Sequence, residues 1–262
     1  LTVQNCTFNY VIPDHAGSSE AVVWFQVGTI TSATVSNNTF SNCVGFNLLS
    51  GGDSRSGSIQ FYDAGGGGLS GVTVSGNTLT NCNDYGIVVG GAAPTHSATI
   101  SNNTLTNCYS PIDLADYITS VSVTGNTITG GYNYGILVEG DHNTLVTIKN
   151  NTITGCVGLR NNAAIYISDE ADADKVIVQY NDIYNSASTC YAISAGAGPD
   201  AGHDCKYNWF GSATGPYYSA LTGATITKSN PNGAGDKISD KVVYYPWLHK
   251  SRTDVVNDNA SY

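Results

Sequence analysis

The strongest constraint on this chain is a short phrase that recurs along most of its length. VTVSGNTLTNC spans Val72–Cys82 and ATISNNTLTNC spans Ala98–Cys108. Shorter versions stand at Leu1–Phe8, Ala33–Phe40, Val121–Ile128, Val146–Ile153 and Val176–Ile183. With the second Asn as register mark, the phrase falls at Asn38, Asn77, Asn103, Asn126, Asn151 and Asn181, and Cys6 fills that slot first. The spacings are 32, 39, 26, 23, 25 and 30 residues. A period of about 20 to 50 residues marks stacked units, none of which buries its core alone. Uneven spacing predicts loops of differing length leaving an otherwise uniform coil.

Inside the phrase, apolar residues alternate with Thr and Ser. Val72, Val74 and Leu79 are expected to point inward, and Thr73 and Ser75 outward, the period of a strand. The next slot holds Asn37, Gly76, Asn102, Gly125 or Asn150, residue types that tolerate a left-handed backbone, so it reads as a turn. The register Asn that follows is placed to hydrogen-bond to its equivalents above and below, as a ladder along the corner. A second apolar run comes next, at Tyr85–Val89, Tyr134–Val138, Ala163–Ile167 and Tyr191–Ala195. Each repeat thus holds two or three short strands, and no helical periodicity of useful length appears. A β-propeller blade needs roughly 40 to 50 residues, too many for most of these coils. The expectation is an all-β chain: a right-handed parallel β-helix, or β-solenoid, over residues 1–200, with an irregular C-terminal capping segment over 201–262.

With 262 residues and 41% apolar content, such a stack can bury one continuous core. The net charge of −10, with only 10 Lys and Arg, argues against nucleic acid or an anionic membrane surface as partner. No apolar run reaches the roughly 18 residues a membrane span requires. The chain opens on Leu1 already inside a repeat, which reads as a mature product or a portion whose leader or earlier coils precede it.

Five Asn-X-Ser/Thr sequons stand at Asn5, Asn37, Asn102, Asn150 and Asn259. Four come with the repeat itself, but their corner position would let a glycan reach solvent. Cys43, Cys82, Cys108 and Cys156 each lie five residues after the register Asn, with Gly131 and Ser186 in that slot elsewhere, and should stack inside as small buried groups. Stacked neighbours lie near the separation a disulfide accepts, which makes Cys82–Cys108 a candidate bridge. Cys190 and Cys205 flank a Gly-rich loop and are a second candidate pair. Cys6 is left over, as a free thiol or an intermolecular link. The five His residues share no metal-like spacing.

The repeat fades after Ala195, and the chain then reads DCKYNWFGSATGP and later DKVVYYPWLHKS. Coils followed by Asn208, Trp209, Gly211, Ser212, Gly215 and Pro216, then Val243, Tyr245, Pro246, Trp247 and Leu248, resemble the ending of parallel β-helix repeat proteins of archaeal and bacterial cell surfaces, methanogens among them. Phe210 stands where that family often has a second Trp. The resemblance implies an exported, surface-associated protein and no particular reaction. On physical grounds Trp209, Phe210 and Trp247 are expected to plug the open end of the solenoid.

Catalysis on a polysaccharide needs paired carboxylates, or a base with cations. Aligning the second strands puts Gln60, Val88, Asp113, Leu137, Tyr166 and Ser194 in one outward column, and Tyr62, Gly90, Ala115, Glu139, Ser168 and Gly196 in the next. Asp113 and Glu139 then stand in different columns as solvated acids, and Asp63 is no better placed. Asp169, Glu170, Asp172 and Asp174 form a denser cluster that would suit Ca²⁺ as the one candidate ion; no cofactor is otherwise required. Thr2, Thr34, Thr73, Thr99, Ser122 and Thr147 form one outward rank, and Thr39, Thr78, Thr104, Thr127 and Thr152 another. Strand propensity, ice binding and lateral packing each produce such ranks, and the uneven coils disfavour ice. The sequence therefore reads as a non-enzymatic structural protein of the cell envelope that self-associates into a surface layer, sheath or filament outside the cell. The rivals are a polysaccharide lyase or hydrolase and a glycan-binding adhesin.

Overall fold

The computed structural model of the chain describes residues 1–11, 21–25, 29–43, 57–63, 68–83, 85–91, 96–115, 117–140, 144–158, 163–168, 175–196, 202–219 and 229–257. Among these residues the strands form three sheets of nine, seven and seven members, each ordered by coil, and every strand pair is parallel. Sheet A stacks the first strand of each repeat, such as Val72–Ser75 on Ala33–Ser36 and His96–Ser101 on Val72–Ser75. Sheet B stacks the second, such as Thr78–Thr80 and Thr104–Thr106. Sheet C stacks Val23–Phe25, Gly57–Asp63, Tyr85–Gly91, Ser110–Leu114, Tyr134–Val138, Ala163–Ile167 and Tyr191–Ala195. The architecture is a right-handed parallel β-solenoid.

The core is a set of vertical columns. Val35, Val74, Ile100, Val123, Ile148 and Val178 form the sheet A wall, and Phe40, Leu79, Leu105, Ile128, Ile153 and Ile183 the sheet B wall, all solvent-free. Ile59, Ile87, Ile112, Ile136, Ile165 and Ile193 supply the third wall. Register keeps like above like, so Phe8 stacks on Phe40 at 4.8 Å and Phe25 on Phe61 at 4.5 Å. In-register stacking lets each column bury apolar surface that one coil would leave exposed.

The corner between sheets A and B is the same in every coil. Two residues, such as Gly76–Asn77 or Asn102–Asn103, separate the strands. The first is left-handed: φ is 55° at Asn5, Asn37, Asn102 and Tyr180, 58° at Asn150 and Tyr207, 64° at Gly76 and 67° at Gly125. Gly at two of these positions also leaves room for the neighbouring Asn side chain. A Cβ on Gly76 or Gly125 would lie 2.5 Å from the Oδ1 of Asn37 or Asn102 in the coil before. Length variation is confined to the other two corners: sheet B reaches sheet C from Thr80 to Tyr85 in one coil and from Ser41 to Gly57 in another.

The stack runs past residue 200, where the sequence reading had ended it. His203–Asp204 extends sheet A beside Val176–Gln179, Trp209 bridges to Asp182 in sheet B, and Val242–Val243 adds a last sheet A strand. Lys237–Ser239 continues sheet C through the Ile193–Ile238 bridge. Phe210 is fully buried and takes the sheet B core column one coil beyond Ile183, while Trp209, opposite Asp182, faces outward and is only half-buried. Tyr244, Ile238, Val242 and Tyr218 fill the end of the core with Phe210. Trp247 lies over Gly215, leaving no room there for a Cβ, and its Nε1 donates to Ala213 O at 3.2 Å. The end is thus closed by Phe210 and Tyr244, with Trp247 buttressing from one side and Trp209 outside the plug.

Candidate functional site

The register asparagines form a continuous buried ladder. Asn77 Oδ1 accepts the backbone N–H and the side-chain amide of Asn38, both at 3.0 Å. The pattern repeats from Asn77 to Asn103, Asn103 to Asn126, Asn126 to Asn151 and Asn151 to Asn181. Each amide also donates to a carbonyl one coil back, as Asn103 does to Val74 O at 2.9 Å and Asn126 to Ile100 O at 3.0 Å. Cys6 enters only through its backbone N–H, which donates to Asn38 Oδ1. Asn208 adds a seventh rung: its Oδ1 accepts from Asn181, and its amide turns to Val178 O and Cys205 O. At each bend the Asn side chains satisfy the register N–H and a neighbouring carbonyl, and backbone bonds between coils, such as Thr78 N–H to Asn38 O, take adjoining groups.

A second left-handed corner follows sheet B, at Asn42, Asn81, Asn107, Gly130, Gly155 and Asn185. Its side chains make a looser, exposed ladder, with Asn81 donating to Asn42 at 3.2 Å and Asn107 to Asn81 at 3.4 Å. The signal was in the repeated phrase, in the Asn that precedes Cys43, Cys82 and Cys108.

Outside the Asn ladder lies a flat hydroxyl-bearing face. In sheet B, Thr39, Thr78, Thr104 and Thr127 stand in register and are exposed. In sheet A, Thr34, Thr73, Ser122 and Thr147 do the same at intermediate exposure, and Thr99 among them is exposed. The sequon residues Asn5, Asn37, Asn102 and Asn150 stand exposed on the corner between the ranks. The rank closes at Thr152 and Asp182. Arg252 donates its backbone N–H to Asp182 Oδ1 at 2.9 Å, places Nε 3.9 Å from Oδ2, and reaches Thr152 Oγ1 with Nη2 at 3.2 Å. This contact carries the chain's C-terminal turn of helix, Arg252–Asn257, over the face. Burial holds the Asp182 carboxyl above the usual carboxylate range, against the opposing pull of Arg252.

The sheet C column is in the predicted register, Gln60–Val88–Asp113–Leu137–Tyr166–Ser194. Its exposure corrects the sequence reading. Gln60, Val88 and Asp113 are fully buried and Leu137 is 2% exposed, although none belongs to the inward core columns. Asp113 is therefore no solvated acid; it stands between Val88 and Leu137 on a covered outer face. Glu139 is half-buried, and its backbone N–H donates to Leu114 O, which places it opposite Ala115 and off the Asp113 column. The acids Asp169, Glu170, Asp172 and Asp174, and the sequon at Asn259, lie outside the described residues. Among the described residues, no group of three or more His, Cys, Asp or Glu side chains is arranged to hold a metal ion.

The cysteines correct a second expectation, for all seven are free. Cys43, Cys82, Cys108 and Cys156 do stack inside the B-to-C corner with Gly131 among them, linked by backbone bonds such as Tyr109 N–H to Cys82 O. Gly131 interrupts the stack because a Cβ there would run into Tyr134 O. The Cys82 and Cys108 side chains meet as free thiols that interact with one another, and their sulfurs also contact backbone carbonyls of Thr80, Thr106 and Leu79 at 3.8 to 3.9 Å. Cys190 and Cys205 sit on different walls. Cys205 follows Asp204, which opposes Ile177, and so extends the Val178 column of sheet A; Cys190 precedes the last strand of sheet C. Burial pushes the Cys156 thiol up to about 12 and the Cys190 thiol up to about 11, and also raises Cys205. Such thiols are protonated and inert at neutral pH. Cys6 is exposed.

Among the described residues no helix is long and apolar enough to cross a membrane. Compared with known families, the chain matches the model of the right handed beta helix region over residues 1–117 and 31–206. No curated protein and no solved structure gives a significant match. With matched residues, three parallel sheets and the Asn ladder in agreement, the chain belongs to the right-handed β-helix family.

Proposed function

We propose that this chain is a non-enzymatic structural protein of the cell envelope, located outside the cell, whose rods pack side by side into a surface layer, sheath or filament. The observation that carries this reading is the loop-free face. Every A-to-B corner is two residues long, so sheets A and B present flat, in-register Thr and Ser ranks from coil to coil. All length variation is displaced to the other two corners. From Thr39 to Thr127, before Arg252 covers Thr152 and Asp182, a face that repeats at the strand spacing can meet a copy of itself in one register, adding weak contacts into one interface.

Two further features support the reading. The burial of Asp113 keeps its carboxylate away from a polymer on the surface, and Glu139 stands off its column. Cys6 offers an exposed thiol as a covalent link between protomers. A glycan on Asn102 or Asn150 would stand on the same corner, so glycosylation there and lateral packing exclude one another.

Sedimentation velocity of the purified chain tests the proposal. The chain should sediment as large species, and Thr78→Arg/Thr104→Arg/Thr127→Arg should sediment as a monomer with an unchanged circular dichroism spectrum. If the unaltered chain is monomeric at all concentrations, lateral packing is wrong. Denaturing gels without reductant test Cys6: a dimer band lost in Cys6→Ser is expected, and monomer alone removes the link.

A further inference from the structure

The left-handed slot of the A-to-B corner holds Asn or Gly from Asn5 to Asn150, residue types suited to that backbone. In the two coils that follow it holds tyrosine, Tyr180 with φ 55° and Tyr207 with φ 58°. A bulky side chain at positive φ is an outlier, and such positions gather where the side chain has a use.

The two tyrosines form a ring pair. Their phenol rings stack with centroids 5.3 Å apart and planes 6° from parallel. The coil-to-coil bond from Tyr180 N–H to Tyr207 O, 3.1 Å, fixes their spacing, and Tyr207 N–H is held in turn by Pro246 O at 2.6 Å. Directly after each tyrosine, Asn181 and Asn208 continue the buried ladder. The backbones that carry the rings are thus locked together by the fold.

Accessibility separates this pair from the other stacks. Tyr134 and Tyr166 lie 5.5 Å apart, but Tyr134 is buried on sheet C. Phe8–Phe40 and Phe25–Phe61 carry no hydroxyl. Tyr207 is 37% exposed and Tyr180 half-buried, on the outside of the corner. Among the described residues it is the one stacked tyrosine pair in which neither ring is buried.

We propose that Tyr180 and Tyr207 are an oxidative cross-linking site, joined as dityrosine by hydrogen peroxide acting through a haem peroxidase. Each phenol gives one electron to the oxidised haem and releases its hydroxyl proton, leaving a phenoxyl radical. The two radicals pair in a carbon–carbon bond between ring positions ortho to oxygen. Each bonded carbon then releases its hydrogen as a proton and each oxygen takes one up, which restores both aromatic rings. Two hydrogens leave in all, and the peroxide is reduced to two waters. The bond ties the coil of Asn181 to the coil of Asn208, where the regular stack meets its capped end. The pair lies beyond the stretch Thr39–Thr127, so the cross-link depends on neither lateral packing nor Cys6.

Treatment of the dilute chain with haem peroxidase and hydrogen peroxide, followed by trypsin and mass spectrometry, tests the site. Cleavage after Lys206 parts the two tyrosines into fragments 176–206 and 207–228. The expected product is these two fragments joined, lighter than their sum by two hydrogens, with the bond mapped to Tyr180 and Tyr207. It should come from protein that still runs as a single chain on a denaturing gel with reductant. Tyr207→Phe keeps a ring in the stack and should abolish both this product and the dityrosine fluorescence. Tyr134→Phe should leave both unchanged. The assignment is overturned if the treated chain yields no such joined pair, if the bond maps to other tyrosines, if it forms only between chains, or if Tyr207→Phe keeps the fluorescence of the unaltered chain.

Discussion

The A-to-B corner and the C-terminal end solve the same problem, backbone and core left open at a bend, by opposite means. At the corner one device is repeated: an Asn whose amide spans to the coils above and below, behind a left-handed residue. At the end each contact occurs once. Phe210 closes a column, Tyr244 fills the base, Trp247 leans on Gly215, and Arg252 reaches back to Asp182. The repeated device gives each inner rung, Asn77 to Asn181, two neighbours, so damage in mid-stack is felt in both directions. The single-use device protects one edge, and its failure should spread inward from that edge. In a solenoid, stability is a sum of coils and coil–coil interfaces, so the two failures are separable.

The largest expected effect is at the centre of the ladder. Asn126→Ala removes the acceptor for the Asn103 backbone N–H and amide, and the donor to Ile100 O. Leaving these buried groups unpaired should cost about 5 kcal/mol, read from urea denaturation. Phe210→Ala should cost about 4 kcal/mol by opening a cavity at the end, and hydrogen exchange should localise the loss to the last coils. A global loss in that variant would break the distinction between centre and end.

His203 gives a test in pH. It is 1% exposed, and burial, helped by the charge of Lys241, lowers its folded value from 6.5 to about 4. The unfolded chain therefore takes up a proton that the folded chain refuses. Stability is full above pH 6.5 and declines as pH falls toward about 4, by about 3 kcal/mol at the limit. His203→Phe should flatten that part of the pH–stability curve, and an unchanged curve would place the acid sensitivity elsewhere. The smallest effect belongs to the outer ladder. Asn81→Ala removes an exposed bond and a residue suited to its φ of 53°, and should cost about 1 kcal/mol in the same denaturation assay.

Where the chain repeats itself, its sequence states its structure. The ladder asparagines, the left-handed slot before them and the inward columns could all be read because each claim was checked by several coils. Asn208 escaped because KYNWF lacks the alternating β-branched residues of the earlier phrases, although its Asn does the same work. At the end no period fixes the phase. Of two adjacent tyrosines the family-like ending drew attention to Tyr245, which is 52% exposed, while Tyr244 is the buried one. Cysteine pairing was illegible for a related reason: flanking one loop in sequence does not put Cys190 and Cys205 on one wall. The burial of Asp113 could not be read from strand alternation, which gives the direction of a side chain and says nothing of what covers it.

Electron microscopy of the purified chain in negative stain is the most direct test of the central claim, that the loop-free face packs rods side by side. The account predicts ordered sheets or bundles of parallel rods for the unaltered chain, and dispersed single rods for Thr78→Arg/Thr104→Arg/Thr127→Arg. Dispersed single rods for both, or equally ordered arrays for both, would contradict it.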